Sequence, residues 1–328
     1  MEYCKLGSSG IEVSRLCVGC LSFGKPFPDS HAWTLNPKET ETIVQKALDL
    51  GFNFFDTANT YAHGTSEEYL GRAIRNCIPR EKVVIATKVY FNEGHLSKKA
   101  IQREIESSLK RLNTDYVDLY IIHRFDRTTP IEETMEALDG LVKCGKVRAL
   151  GASAMYGYRF YSMQFAAERN GWTRFCSMQN HYNLLYREDE REIIPLCKQE
   201  GVALTPFSPL AAGRLCRPTW KADTLRSQTD QTAAQKYDST ESSDYEIVRR
   251  VHETAENYGV TMTQVALAWQ LAKGMTAPIV GATKGKYLED AVGALELSLS
   301  EADIAYLEEP YQPHRVVGLR TDDDEVQK

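Results

Sequence analysis

Val83-Val84-Ile85-Ala86-Thr87-Lys88 and Val117-Asp118-Leu119-Tyr120-Ile121-Ile122-His123 share one plan: a short apolar run that stops on a residue with acid–base chemistry. Runs this short and this continuous suit strands covered on both faces, as in a parallel sheet. Between the two, Ile101, Ile105, Leu109 and Leu112 recur at helical spacing, and Ser97 stands where an N-cap belongs. Strand, helix, strand in that order is the unit of a parallel α/β fold.

Working outward, the same rhythm covers the chain. Candidate strands lie at 16–18, 52–55, 83–86, 117–122, 147–150, 175–178, 202–205 and 277–280. Ile131, Met135, Leu138 and Val142 mark another helix, with Thr129 as its expected N-cap and Pro130 in its first turn. Ile247, Val251 and Ala255 mark a further one, and Gly51, Gly145 and Gly201 stand where helices should stop before strands. Polar groups follow the strands at one end: Asp56 and Tyr61, Lys88, His123, Ser153, Gln179, Phe207 with Ser208, and Gly281 with Thr283. A closed barrel brings these ends to one mouth, whereas an open sheet spreads them along an edge. The expectation is therefore a single domain over 1–328, an α/β (β/α)8 TIM barrel. Segment 2–13, with Ser8-Ser9-Gly10 in its middle, reads as an N-terminal β-hairpin plugging the barrel floor. Segment 213–243 is polar and weakly periodic and reads as a long loop after strand 7, while the acidic tail 321–328 reads as disordered.

Composition excludes several classes. The 328 residues carry a net charge of −6 and show no basic stripe, which argues against a nucleic-acid partner. No apolar run reaches the roughly 20 residues of a membrane span, and MEYCKLGSSG is not a secretory signal. The eight cysteines are scattered and read as reduced thiols of a cytoplasmic protein. Cys17 and Cys20 form one CxxC, but no second pair accompanies it and Cys17 lies inside a strand, so no metal is expected.

The residue types at the strand ends suggest a reaction. A carbonyl that accepts hydride develops negative charge on oxygen and needs a proton donor and an electrophilic cradle. Tyr61 can give the proton, and a neighbouring Lys88 ammonium should lower the phenol's pKa toward the working range. Asp56 would hold Lys88 charged, and a neutral His123 could orient the carbonyl through a hydrogen bond. Taken singly, each has an ordinary reading: a turn-capping Asp, a half-buried Tyr, a solvated Lys, a structural His. Four such types at matching strand ends favour chemistry.

Phe54-Phe55-Asp56-Thr57-Ala58-Asn59-Thr60-Tyr61, Ala86-Thr87-Lys88 and Asp118-Leu119-Tyr120-Ile121-Ile122-His123-Arg124 resemble the signature segments of the aldo-keto reductases, in the branch with bacterial reductases and potassium-channel β subunits. The resemblance spans about 3–318. It implies a metal-free barrel that reduces a small aldehyde or ketone with NADPH rather than NADH, with catalytic Asp56, Tyr61, Lys88 and His123. It also implies a cofactor site. Ser153 and Gln179 would meet the carboxamide, although Ala154 replaces the family's Asn. Phe207 would stack on nicotinamide, and Ser208, Leu210, Gly213 and Arg214 would take the pyrophosphate. Gly281, Thr283, Lys284, Tyr287 and Asp290 would take the adenosine phosphate at a helix N-terminus, and Cys20 completes the set from the first strand. Gly281 to Lys286 is one residue short of a P-loop, and no GxGxxG follows the first strand.

His31, Trp33, Phe125 and Trp220 lie in expected mouth loops and are candidates for the substrate wall. Two other functions compete with reduction. One is a non-catalytic NADPH-binding regulatory subunit, for which the chain shows no dedicated docking extension. The other is a Schiff-base aldolase built on Lys88, which a neighbouring Asp56 would disfavour by keeping the amine protonated.

Overall fold

The computed structural model describes residues 1–27 and 31–317; the tail expected to be disordered, 321–328, lies outside them. β1 (Tyr3–Lys5) and β2 (Glu12–Ser14) pair antiparallel. Eight more strands run parallel: β3 (Cys17–Gly19), β4 (Phe54–Asp56), β5 (Val84–Val89), β6 (Val117–Ile122), β7 (Val147–Ser153), β8 (Phe175–Gln179), β9 (Ala203–Leu204) and β10 (Ile279–Gly281). Each pairs with its neighbour in sequence, and β10 returns to lie beside β3. The remaining seam is closed by backbone: Thr276 N–H donates to Leu204 O at 2.8 Å and Ile279 N–H to Pro206 O at 2.9 Å. The expected (β/α)8 barrel is thus present, and each of the eight candidate strands is found, with ends that differ by no more than three residues.

The side-chain period of two explains both core and mouth. Val84 and Ala86, Leu119 and Ile121, and Ala149 point inward with Phe54, Cys176, Ala203 and Ile279 to fill the barrel. Leu6, Ile11 and Val13 of the hairpin join the same cluster from below, so the hairpin plugs the floor as expected. Gly7 makes this fit possible, since a Cβ there would stand 2.2 Å from Cys176 O. One step further along each strand, the same inward parity delivers Asp56, Lys88, His123 and Ser153 to the mouth. Gly151 leaves room beneath them, because a Cβ would stand 2.6 Å from Ser177 Oγ.

The outer layer begins with α1 (Pro37–Asp49), α2 (Thr65–Cys77), α3 (Lys98–Leu112), α4 (Ile131–Lys143), α5 (Gly157–Asn170) and α6 (Ile193–Gln199). Ser97 caps α3 by accepting from Ala100 N–H. Thr129 does not cap α4. Pro130 holds that position without a side-chain bond, and the Thr129 hydroxyl donates to Asp126 Oδ2 at 2.6 Å instead. Asp126 Oδ2 also accepts Leu96 N–H, so this tertiary tie between two mouth loops outcompetes the local cap.

Segment 213–243, read as a long loop, carries α7 (Leu225–Thr229) and α8 (Gln231–Tyr237), and α9 (Glu241–Tyr258) begins within it. Thr224 and Asp230 cap the two short helices. The apolar spacing in each is too short to register as periodic. α10 (Met262–Ala272), α11 (Gly285–Gly293) and α12 (Glu301–Glu308) follow. Among the described residues no helix is long and apolar enough to cross a membrane.

Candidate active site

Lys88 is the centre of the mouth. Its side chain is fully buried at the end of β5, yet its ammonium has three acceptors: Asp56 Oδ2 at 2.6 Å, Thr57 O at 2.8 Å and Tyr61 OH at 3.1 Å. Gln179 Nε2 donates to the other Asp56 oxygen at 2.8 Å, so that carboxylate is held from both sides. Burial alone would lower the Lys88 pKa, but Asp56 and Tyr61 together overcome it and raise it. For Tyr61 the balance goes the other way. Burial pushes the phenol above its ordinary value, and Lys88 pulls it back without cancelling the rise. The expected sign of the Lys88 effect is present, but the net lowering expected from the sequence is not, because desolvation of the phenolate is the larger effect.

His123 stands edge-on to Tyr61, with ring centroids 5.8 Å apart. Burial first, and then the Lys88 and Arg124 cations, hold its imidazole well below the ordinary value, so it is neutral. Its Nδ1 is buried without a hydrogen-bond partner. The four candidates for catalysis are therefore gathered at one point of the mouth, with a neutral ring and a phenol hydroxyl beside the same ammonium.

The cofactor candidates divide. Ser153 Oγ, at the end of β7, is buried and unpartnered. Next to it Ala154 has φ +45°, the left-handed region that Asn tolerates better than Ala, so the backbone keeps the shape of the absent residue. Phe207 and Leu210 are half-buried at the rim, and Ser208, Ala211, Ala212 and Gly213 all have positive φ, a backbone run able to turn N–H groups toward an anion. The α11 N-cap, Lys284, makes no side-chain cap bond, so first-turn N–H groups have no side-chain acceptor. A Cβ built on Gly281 would meet nothing within 4 Å, and Lys284, Lys286 and Tyr287 are exposed nearby. Thr283 and Asp290 are half-buried on the same segment. These features fit an anionic dinucleotide laid from Ser153 across the rim to α11.

Three candidates are placed otherwise. Cys20 is wholly buried in the apolar cluster that holds Val18 and Phe23, near enough to Asp56 and Lys88 to feel both charges, and burial pushes its thiol well up. Arg214 is buried, donates to Asp238 Oδ1 at 2.5 Å and lies over the rings of Trp220 and Tyr237. It bolts the segment after β9 in place. Trp220 is also buried, with its indole N–H on Asp238 Oδ1 at 3.1 Å, so it is packing and not substrate wall.

Of the other wall candidates, Trp33 stacks on His31 at 4.6 Å and carries the Arg226 guanidinium at 4.3 Å, which joins the loop after β3 to α7 across the mouth. Phe125 is half-buried under the Arg159 guanidinium. Phe91, which no sequence pattern singled out, is better placed than any of them. It is 43% exposed and edge-on to His123 at 5.0 Å. Arg217 is another omission: it holds Gly213 O at 2.8 Å and keeps its buried Nε unpartnered beside the positive-φ run. The Arg217-Pro218 pair at the end of an apolar stretch is the only local signal that pointed to it. Among the described residues no cluster of His, Cys, Asp and Glu could hold a metal ion.

Comparison with known proteins agrees in kind. Residues 15–312 match the model of the Aldo/keto reductase family. The chain is 42% identical to a versiconal hemiacetal acetate reductase of Aspergillus parasiticus, covering 96% of this chain and 98% of that protein. It is 44% identical to a putative aryl-alcohol dehydrogenase of Schizosaccharomyces pombe, covering 95% and 96% respectively. Among solved structures, a thermostable aldo-keto reductase in complex with the inhibitor epalrestat superposes with a TM-score of 0.76 at 30% identity, covering 94% of this chain and all of that one.

Proposed function

Because the chain belongs to the aldo/keto reductase family, an oxidoreductase family, we propose that it reduces an aldehyde or ketone to an alcohol with NADPH, Tyr61 being the proton donor. The observation that carries this reading is the buried Lys88 ammonium shared by Asp56, Thr57 O and Tyr61 OH, with neutral His123 alongside.

The bound cofactor supplies the hydride. The protein's residues do the rest. His123 donates a hydrogen bond to the carbonyl oxygen and fixes its approach, which a neutral ring can do without itself giving up a proton. As negative charge develops on that oxygen, the Tyr61 hydroxyl transfers its proton to it. The phenolate left behind lies against the Lys88 ammonium, whose charge Asp56 keeps in place. Solvent then returns a proton to Tyr61. Lys88 offsets part of the burial that makes Tyr61 a reluctant acid, and its attraction is greatest when the phenolate forms.

On the cofactor side, Ser153 and Gln179 would meet the carboxamide and Phe207 the ring. Ser208 to Gly213 with Arg217 would take the pyrophosphate, and the α11 N-terminus with Lys284 and Lys286 would take the 2′-phosphate. The exposed lysines support NADPH over NADH, and Tyr287 and Asp290 flank them.

The test is fluorescence titration of the protein with NADPH and NADH, followed by the absorbance of reduced nicotinamide with simple aldehydes. Tight NADPH binding with oxidation by an aldehyde is the expected result. Tight binding without turnover on any carbonyl compound would refute it in favour of a binding role.

A further inference from the structure

Phe207, the rim ring that the nicotinamide would meet, is the outermost member of a stack. Beyond the ends of β8 and β9, His181 and Phe207 form a further parallel bridge, and Phe207 N–H donates to Asn180 O at 2.8 Å. Residues paired across strands point to the same face, so the two rings meet, with centroids 5.1 Å apart and planes 8° apart. His181 also stacks on Tyr186, at 4.2 Å and 15°. One face of an imidazole has no room for both rings, so they cover opposite faces.

The far end of the stack is braced by the chain's last described segment. The Tyr186 backbone pairs with Asn183, the Tyr186 hydroxyl accepts Val317 N–H at 3.2 Å, and the His314 ring stands edge-on to Tyr186 at 6.3 Å. The Tyr311 hydroxyl and His314 N–H both donate to Glu188 Oε1 at 2.8 Å, which fixes that segment in turn.

Packing alone does not ask for a histidine here. His181 is 3% exposed and its Nδ1 has no hydrogen-bond partner, a cost that a phenyl ring in the same place would not carry. What the imidazole gains is Nε2, which bonds the buried Tyr237 hydroxyl at 2.8 Å; that hydroxyl accepts from Asn183 Nδ2 at 3.1 Å. The bond fixes the rotation of the ring and with it the plane offered to Phe207. Burial first, and then Lys236, hold the imidazole well below its ordinary value, so the stacked ring is neutral. The half-buried Lys236 side chain also brings its ammonium to the Phe207 ring, 4.9 Å from the centroid, on a flexible four-carbon stem that can give way to a planar ring.

We propose that His181 is a positioning residue: held between Tyr186 and Phe207 and keyed by Tyr237, it fixes the plane of the Phe207 ring against which the nicotinamide is laid. This rests on the cofactor site proposed above and adds to it a residue that touches neither cofactor nor substrate.

The experiment measures binding of NADPH and of 2′,5′-ADP, which has the adenosine phosphates but no nicotinamide, by quenching of tryptophan fluorescence. It also follows the single-turnover decay of reduced nicotinamide absorbance with benzaldehyde. Leucine fills the place of the imidazole without a flat face, and phenylalanine restores the face. Neither bonds Tyr237, so the pair isolates the ring. His181→Leu should weaken NADPH roughly threefold to tenfold, the worth of an aromatic contact, and slow the single turnover by about tenfold or more, with 2′,5′-ADP affinity unchanged. His181→Phe should restore most of both. Tyr186→Leu, which uncovers the other face of the imidazole, should give the same NADPH-selective loss. Wild-type NADPH affinity and rate in His181→Leu would overturn the proposal, as would equal losses in His181→Leu and His181→Phe, or a parallel loss of 2′,5′-ADP, which would show general damage to the site. If the wild type binds NADPH but reduces neither benzaldehyde nor any other aldehyde, the reductase reading falls, and the two binding curves still decide the stack.

Discussion

Replacing Lys88 with Met tests the chemistry and the packing of the site together. Methionine keeps the length of the stem and removes the charge. In the wild type the ammonium is 3.1 Å from the Tyr61 hydroxyl oxygen. Unit charges at that separation attract by about 5 kcal/mol at an effective dielectric constant of about 20, which is the scale of the help given to the forming phenolate. Water entering the vacated space returns part of it, so we expect kcat for aldehyde reduction to fall by about a thousandfold, within the usual range for a general acid. Asp56 is left buried with Gln179 as its side-chain donor on one oxygen and nothing in place of Lys88 on the other. Stripping one partner from a buried ion pair typically costs about 3–5 kcal/mol, so the urea midpoint should drop as well. The assays are stopped-flow absorbance of reduced nicotinamide with saturating aldehyde, fluorescence titration with NADPH, and urea unfolding. NADPH should still bind, because the rim and α11 are untouched. A folded Lys88→Met protein with kcat within a few-fold of wild type would refute the argument that this cation sustains the proton step.

Tyr61→Phe should remove most reduction and leave NADPH binding nearly intact, and retained turnover would move the proton donor elsewhere. Because burial raises the Tyr61 pKa above its ordinary value and Lys88 is raised too, reduction should stay level through neutral pH and decline only in strong alkali, while alcohol oxidation, which needs the phenolate, should rise with pH; opposite slopes in a pH–rate series would contradict this. His123 and His181 are both held well below the ordinary histidine value. Below about pH 6.5 the unfolded chain binds protons that the folded one refuses, so stability should be full above that value and lost as pH falls, which urea midpoints at pH 7.5 and 5.5 will show. Lys284→Ala combined with Lys286→Ala should weaken NADPH far more than NADH, and equal losses in the two titrations would place the 2′-phosphate elsewhere.

The sequence by itself determined the strands, the hairpin floor and the quartet at the mouth, and the reason is locality. Inward parity along a strand that ends in Ala86-Thr87-Lys88 leaves Lys88 one layer above Ala86, and the same counting delivers His123 above Ile121. No distant contact is needed to read either, because the period of a strand is set by its own backbone. Tertiary structure decided what depended on partners remote in the chain. Trp220 was legible as a mouth aromatic, but Asp238 and Arg214 draw it into the interior. Thr129 was legible as a cap, but the Asp126 tie between loops takes its hydroxyl. The helices α7 and α8 are too short to show a period, so the position of Lys236 over Phe207 exists only once His181, Asn183 and Asp238 have fastened the residues around it. The net pKa of Tyr61 is of the same kind. Lys88 as a neighbour could be inferred from strand ends, but the depth of burial that outweighs it is a property of the whole barrel, since desolvation is set by every atom that excludes water from the phenol and not by any one residue beside it.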